Sequence, residues 1–120
     1  MINKININNK FSLFSDHWSP KILASINDHH VKIAKLKGDF IWHKHDNEDE
    51  LFFVIRGKLI MEFRDRTIEL NEQEMLVVPK GVEHRPVALD EVCVILIEPA
   101  TTINTGDKNN ELTRINPEFI

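Results

Sequence analysis

The stretch Phe40–Gly57, FIWHKHDNEDELFFVIRG, decides how the rest of the chain is read. Its second half, Glu50–Arg56, is a short apolar run ended by Gly57, too brief for a helix of ordinary length and rich in the aromatic and branched residues that suit a pleated surface. On a strand, Glu50, Phe52 and Val54 share one face and Leu51, Phe53 and Ile55 the other. Its first half carries His43 and His45 two apart, a spacing that sends both imidazoles to one side of a strand so that they can converge on one point.

The same period of two recurs outward from this stretch. It predicts strands at Lys21–Ile26, Val31–Lys37, Phe40–His45, Glu50–Arg56, Lys58–Arg64, Thr67–Leu70, Met75–Val78, His84–Val87 and Val92–Glu98. No capped amphipathic run predicts a helix, so the expected class is all-β. Gly57 is read as a hairpin turn between Phe53-Val54-Ile55 and Leu59-Ile60-Met61, and Asp65-Arg66 as the next turn. Pro79-Lys80-Gly81 reads as a type I turn with glycine last. His29-His30 follows Asn27-Asp28 and is read as an exposed turn. Val92–Ile97 is apolar at both parities, as expected of a strand covered on both faces or used at a subunit interface.

The chain has 120 residues, enough for one domain with one core. Residues 1–120 are read as a single domain, with the motif-bearing part at about 31–98 and the polar termini covering it or crossing to a partner. Fifteen Lys and Arg against nineteen Asp and Glu leave a net charge of −4, which argues against nucleic acid as a partner. No apolar stretch resembles a signal peptide or a membrane span, and the lone Cys93 lies in an apolar run. A cytoplasmic, reducing location is expected, with no membrane partner.

A carboxylate must join the two imidazoles from the next strand. Asp46-Asn47-Glu48-Asp49-Glu50 offers several, and Glu50 is preferred to Asp49 because it alone combines strand position with reach. His84, after the Pro79–Gly81 turn, supplies a fourth ligand from far along the chain. Three imidazoles and one carboxylate suit one divalent transition metal ion, Fe, Mn, Ni, Zn, Co or Cu, better than Mg or Ca. Ile41, Phe52, Met61 and Phe63 share the inward parity and are the candidate apolar pocket wall. Trp42, of opposite parity to His43, is expected to pack behind the site.

Taken together, these residues resemble the cupins. The first cupin motif, G-x5-H-x-H-x3,4-E-x6-G, is matched by Gly38, His43, His45, Glu50 and Gly57, with Gly38 one residue closer than the pattern. The second, G-x5-P-x-G-x2-H-x3-N, is matched by Pro79, Gly81 and His84, with Gln73 in place of its first glycine and Ala88 in place of its asparagine. The resemblance spans about Val31 to Glu98. It implies a jelly-roll barrel, a double-stranded β-helix of six to eight strands, with the metal toward one open end.

The function expected is that of a metal-dependent enzyme acting on a small oxygen-bearing organic molecule, with dioxygenase-like chemistry favoured because the inferred wall is apolar. A non-catalytic module that binds or senses a small ligand is the alternative. A sugar-phosphate isomerase-like cupin is a third reading, weakened by the lack of inward Lys or Arg. A homodimer is expected, twofold pairing being the commonest assembly.

Overall fold

One long strand organises the molecule because its apolar residues run at both parities and so demand cover on both faces. In the computed structural model, which describes residues 2–120, this strand joins two segments that the sequence predicts as separate. Among the described residues there are one short helix, α1 (Ile7–Phe11), and seven strands: β1 (Lys21–Ile26), β2 (His29–Asp39), β3 (Glu50–Arg56), β4 (Leu59–Phe63), β5 (Thr67–Leu70), β6 (Met75–Val78) and β7 (His84–Pro99).

β7 pairs antiparallel with β2 from Val87↔Asp39 to Pro99↔His29. On its other side it pairs first with β4, Phe63↔His84 to Ile60↔Val87, and then with β3, Arg56↔Cys93 to Leu51↔Ile97. β3 and β4 therefore follow one another along the same flank of β7 and do not pair with each other, so the hairpin expected at Gly57 is corrected to a break in one long ribbon. β5 and β6 line up beyond that ribbon against β4 and β3.

The sheet is creased where these ribbons break. Register shifts fall between Leu36 and Gly38 and between Val54 and Arg56, beside the exposed Leu89-Asp90-Glu91 of β7. Such irregularities bend a ribbon and add twist. The crease folds one half of the sheet over the other, so that His84 at one end of β7 reaches Glu50 on β3. Leu36, Val54, Leu59, Met61, Val92 and Val94 are among the side chains buried between the halves. On the outer face of β7, Cys93 packs with Phe11, Leu23 and Ile33, so the strand is covered on both sides.

The closed jelly-roll barrel, or double-stranded β-helix, expected above is corrected here. The hydrogen-bonded path runs β1-β2-β7-β3-β6, with β4 held by β5 and β7, and it ends at β1 and β6 without joining them. The reason lies in Phe40–His45, expected as a strand, which makes only the single bridge His43↔His84. The outer edge of β1 is instead occupied by the C-terminal residues: Ile22 N–H donates to Glu118 O at 2.8 Å, and Ile120 N–H to Ile22 O at 3.1 Å.

Three smaller expectations also change. Helix α1 has only five residues, too few for its period to show, and Asn6 caps it by accepting from Asn9 N–H at 2.9 Å. His29 and His30 open β2, while the turn before them is Asn27-Asp28. In the turn after β6, Val82 N–H donates to Pro79 O at 3.2 Å, which puts Gly81, at φ +81°, third rather than last. No helix among the described residues is long and apolar enough to cross a membrane.

Two substitutions test the crease and the turn before β6 in opposite directions. Gly57 has φ +88°, and an added Cβ would lie 2.8 Å from Glu91 O, so Gly57→Ala should cost about 1–3 kcal/mol. Gln73, standing where the cupin motif has glycine, holds φ +71°. Relief of that backbone should make Gln73→Gly more stable by about 0.5–1 kcal/mol. Urea melts of both variants check the signs.

Candidate metal centre

The site begins with a backbone contact. His43 N–H donates to His84 O at 3.1 Å and His84 N–H to His43 O at 2.9 Å, so two segments forty-one residues apart are fixed side by side. Gly81 N–H donates to His45 O at 2.7 Å, tying the turn before His84 to the other histidine. Glu50 opens β3 opposite Val78 of β6, on the inward face that its parity dictates.

These anchors bring His43, His45, Glu50 and His84 into one cluster in which a ligand atom from each lies within 4.8 Å of the others. All four are buried, at 0–4% exposure. Glu50 Oε1 lies 3.3 Å from His45 Nε2 and 3.5 Å from His84 Nε2. Donors about 2.0–2.2 Å from a shared ion stand roughly 3.0–3.4 Å apart, so the spacing fits.

Hydrogen bonding points the same way. His43 Nδ1 donates to Ile41 O and His84 Nδ1 to Val82 O, each at 2.9 Å. A carbonyl only accepts, so each ring carries its proton on Nδ1 and turns the Nε2 lone pair inward. His45 Nε2, His84 Nε2 and Glu50 Oε1 are buried without a hydrogen-bond partner, a costly arrangement unless a further group binds them. The residues present therefore fit a metal ion.

Asp49, the weaker alternative to Glu50, turns outward and accepts from Lys80 N–H at 2.9 Å. Glu48 accepts from the Thr101 hydroxyl. Beside the cluster lies a cavity of about 390 Å³, counted out to its opening, walled by Leu36, Phe40, Phe52, Val94 and Leu96 and reached by His43 and Glu50. Of the four expected wall residues Phe52 lines it. Met61 is buried in the core, Ile41 packs at the core margin, and Phe63 lines a separate groove with Ile68 and Val82. Trp42 stands half-buried on the outer side, its ring 3.8 Å from the Arg64 guanidinium.

The sequence reading did not locate the contacts of two features. Lys32 and Glu98 form a buried ion pair, Nζ to Oε1 at 2.9 Å, beside Glu50. The signal was present, because Lys32 shares parity with Ala34 and Leu36, and Glu98 with Val94 and Leu96. The second is a C-terminal strap. Lys44 N–H donates to Asp107 Oδ1 and Asp107 N–H to Lys44 O, each at 3.0 Å, and a Cβ on Gly106 would run into the Lys44 carbonyl and the His43 ring. A polar run rich in Thr and Asn carries no periodic signal that could have located it.

The cupin domain family model matches residues 29–98, more than half of the chain. The chain belongs to the cupin family. Two solved structures support this: a cupin-2 domain containing protein from Shewanella frigidimarina is 50% identical, with TM-score 0.78 over 79% of this cupin and 93% of that chain. Protein NMB1881 from Neisseria meningitidis is 31% identical, with TM-score 0.75 over 82% of this cupin and 100% of that chain. The Bacillus subtilis protein YdbB, described as uncharacterized, is 41% identical over 64 residues; the match covers 52% of this cupin and 57% of YdbB, so the chain spans little more than half of that relative.

Protonation of the cluster is uneven. Burial, reinforced by His84, lowers the pKa of His43 to about 4. Burial acts on His45 in the same direction, but the Glu50 carboxylate 3.3 Å away, with Glu48 and Asp107, outweighs it and raises its pKa above the ordinary 6.5. Burial opposes the charge on Glu50, yet the imidazoles of His45 and His84, 3.3 and 3.5 Å away, hold its carboxyl well below the usual range. A metal needs the unprotonated nitrogen, so protons compete first at His45. Metal affinity should fall about tenfold per pH unit below the raised His45 value. Cobalt(II) competition titrations across this range measure that slope.

Proposed function

We propose that this cupin is a metal-dependent enzyme that binds a small oxygen-bearing organic molecule at His43, His45, Glu50 and His84. The observation that carries the reading is the meeting of buried, partnerless imidazole and carboxylate donors beside an apolar cavity. The mixed N/O set favours one divalent transition ion, Fe, Mn, Ni, Zn, Co or Cu. When bound, such an ion supplies Lewis-acid chemistry, or redox chemistry if it is iron, manganese, nickel or copper.

The chain's own residues do the rest. The Ile41 and Val82 carbonyls hold the His43 and His84 rings in the tautomer that presents Nε2. Glu50 brings the negative charge that offsets a dication, and the apolar walls keep bulk water from the site. Dioxygenase-like chemistry is favoured over isomerisation of a sugar phosphate because, among the described residues, no Lys or Arg lines the cavity to hold a phosphate. A second reading, binding or sensing without turnover, is favoured by one specific feature: apart from the proposed ligands, no titratable side chain among the described residues lines the cavity.

A homodimer in the cytoplasm completes the proposal. Exposed Met75 and Val77 on the end strand β6 support pairing of two copies, and a free thiol at Cys93 suits reducing surroundings. The charge of −4 supports a small molecule rather than nucleic acid as ligand.

Protein purified without a histidine tag should carry about one transition-metal ion per chain by elemental analysis. His84→Ala should weaken binding about 100-fold or more while leaving the far-ultraviolet circular dichroism unchanged. Full metal content in that variant would overturn the ligand assignment. Oxygen uptake in a screen of small oxygenated substrates separates enzyme from binder.

A further inference from the structure

The cavity beside His43 and Glu50 is small: the centre of a water molecule can range over only about 40 Å³.

Its walls are apolar in effect as well as in name. Ala34, Leu36, Phe52, Val94 and Leu96 are buried hydrophobic groups, and Trp18 and Phe40 stack with centroids 4.7 Å apart. The one amide in the lining, Asn104, is already committed: Nδ2 donates to Leu112 O at 2.9 Å and more weakly to Trp18 O at 3.4 Å, and Oδ1 accepts from Arg114 N–H at 2.7 Å. Trp18 is held in turn by its indole N–H, which donates to Lys37 O at 2.8 Å. Polar capacity left for a ligand is therefore confined to the end where His43 and Glu50 stand.

Asn104 is also the one residue of the lining, among the described residues, that is not buried. A molecule in the cavity meets apolar walls on most sides and polar ligand groups only at His43 and Glu50. A hydroxylated or charged body would lose its hydration without replacement, at a cost of roughly 1–3 kcal/mol per unpaired polar group.

We infer that the cavity takes a small molecule with an uncharged, hydrocarbon-like body, which presents oxygen toward His43 and Glu50, and that sugars and phosphorylated compounds are excluded. The inference rests on the metal-dependent reading above for the oxygen end, whereas the body of the ligand is set by the cavity alone. Trp18 and Asn104, both outside the 29–98 family match, are part of its lining.

Two arms keep the two readings separate. In the metal-free protein, crystals under xenon pressure should show a xenon atom beside Val94, and Ala34→Leu should abolish it. In the cobalt(II)-loaded protein, acetohydroxamate should shift the visible absorption, and Ala34→Leu should weaken its binding at least tenfold with cobalt content unchanged. Phosphoglycolate should bind at least tenfold more weakly than acetohydroxamate. Val94→Ile, which adds one methylene to the same wall, repeats both arms should the larger change impair folding. Undiminished acetohydroxamate binding in the filled variants, or phosphoglycolate binding as tightly, overturns the inference. Failure to take up cobalt sinks the metal reading, and the xenon arm then decides the cavity: no xenon in the wild type overturns the apolar site, and xenon displaced by the filled variants supports it.

Discussion

Two backbone hydrogen bonds, exchanged between His43 and His84, are the constraint on which the rest of the site depends. They join a loop that belongs to no strand to the first residue of the longest strand. Because backbone groups make the join, the side chains remain free to face inward. Each imidazole is then steered by a carbonyl two residues before it, so ring orientation follows from local chain path rather than from a remote partner. Only Glu50 and His45 need longer-range placement, and the β3–β6 pairing and the Gly81–His45 bond provide it.

The crease in the sheet is what allows those bonds to form. On a flat sheet, the start of β7 and the start of β3 would lie at opposite ends, because both ribbons run the length of the same long strand. Bending at Leu36–Gly38, Val54–Gly57 and Leu89–Glu91 brings them face to face. Gly57 sits tightly against the Glu91 carbonyl at this fold line, where any side chain would meet backbone. Burial of Val54, Val92 and Val94 between the halves, worth about 1.5–3 kcal/mol for each such side chain, opposes reopening.

Much of this was readable in the residues, for physical reasons. Alternation at Glu50–Arg56 and Leu59–Phe63 reports which face is buried, and so it located β3 and β4 and turned Glu50 inward. It could not report partners: β3 and β4 looked like a hairpin because a glycine separates them, yet both pair with a strand some thirty residues later. The spacing of His43 and His45 suggested a strand, and the rings do end 5.1 Å apart between centroids although the segment is not one. Closure of the sheet, taken from the family resemblance, failed because that segment contributes a single bridge. Of the expected wall, Phe52 was placed by parity, while Met61 obeyed the same parity and went to the core on the other half of the crease. Trp18 and Asn104 were invisible, since their positions depend on tertiary bonds with no local pattern.

The strap formed by residues beyond Pro99 has a consequence for how such proteins diverge. It packs against Lys44 and the His43 ring and supplies Asn104 to the lining of the cavity, yet contributes none of the four clustered donors. Replacing this tail would reshape part of the cavity wall while leaving the four donors in place. A lineage that inherits the same donors can thus acquire a different diet by editing a peripheral stretch of chain, without first dismantling what makes the centre work.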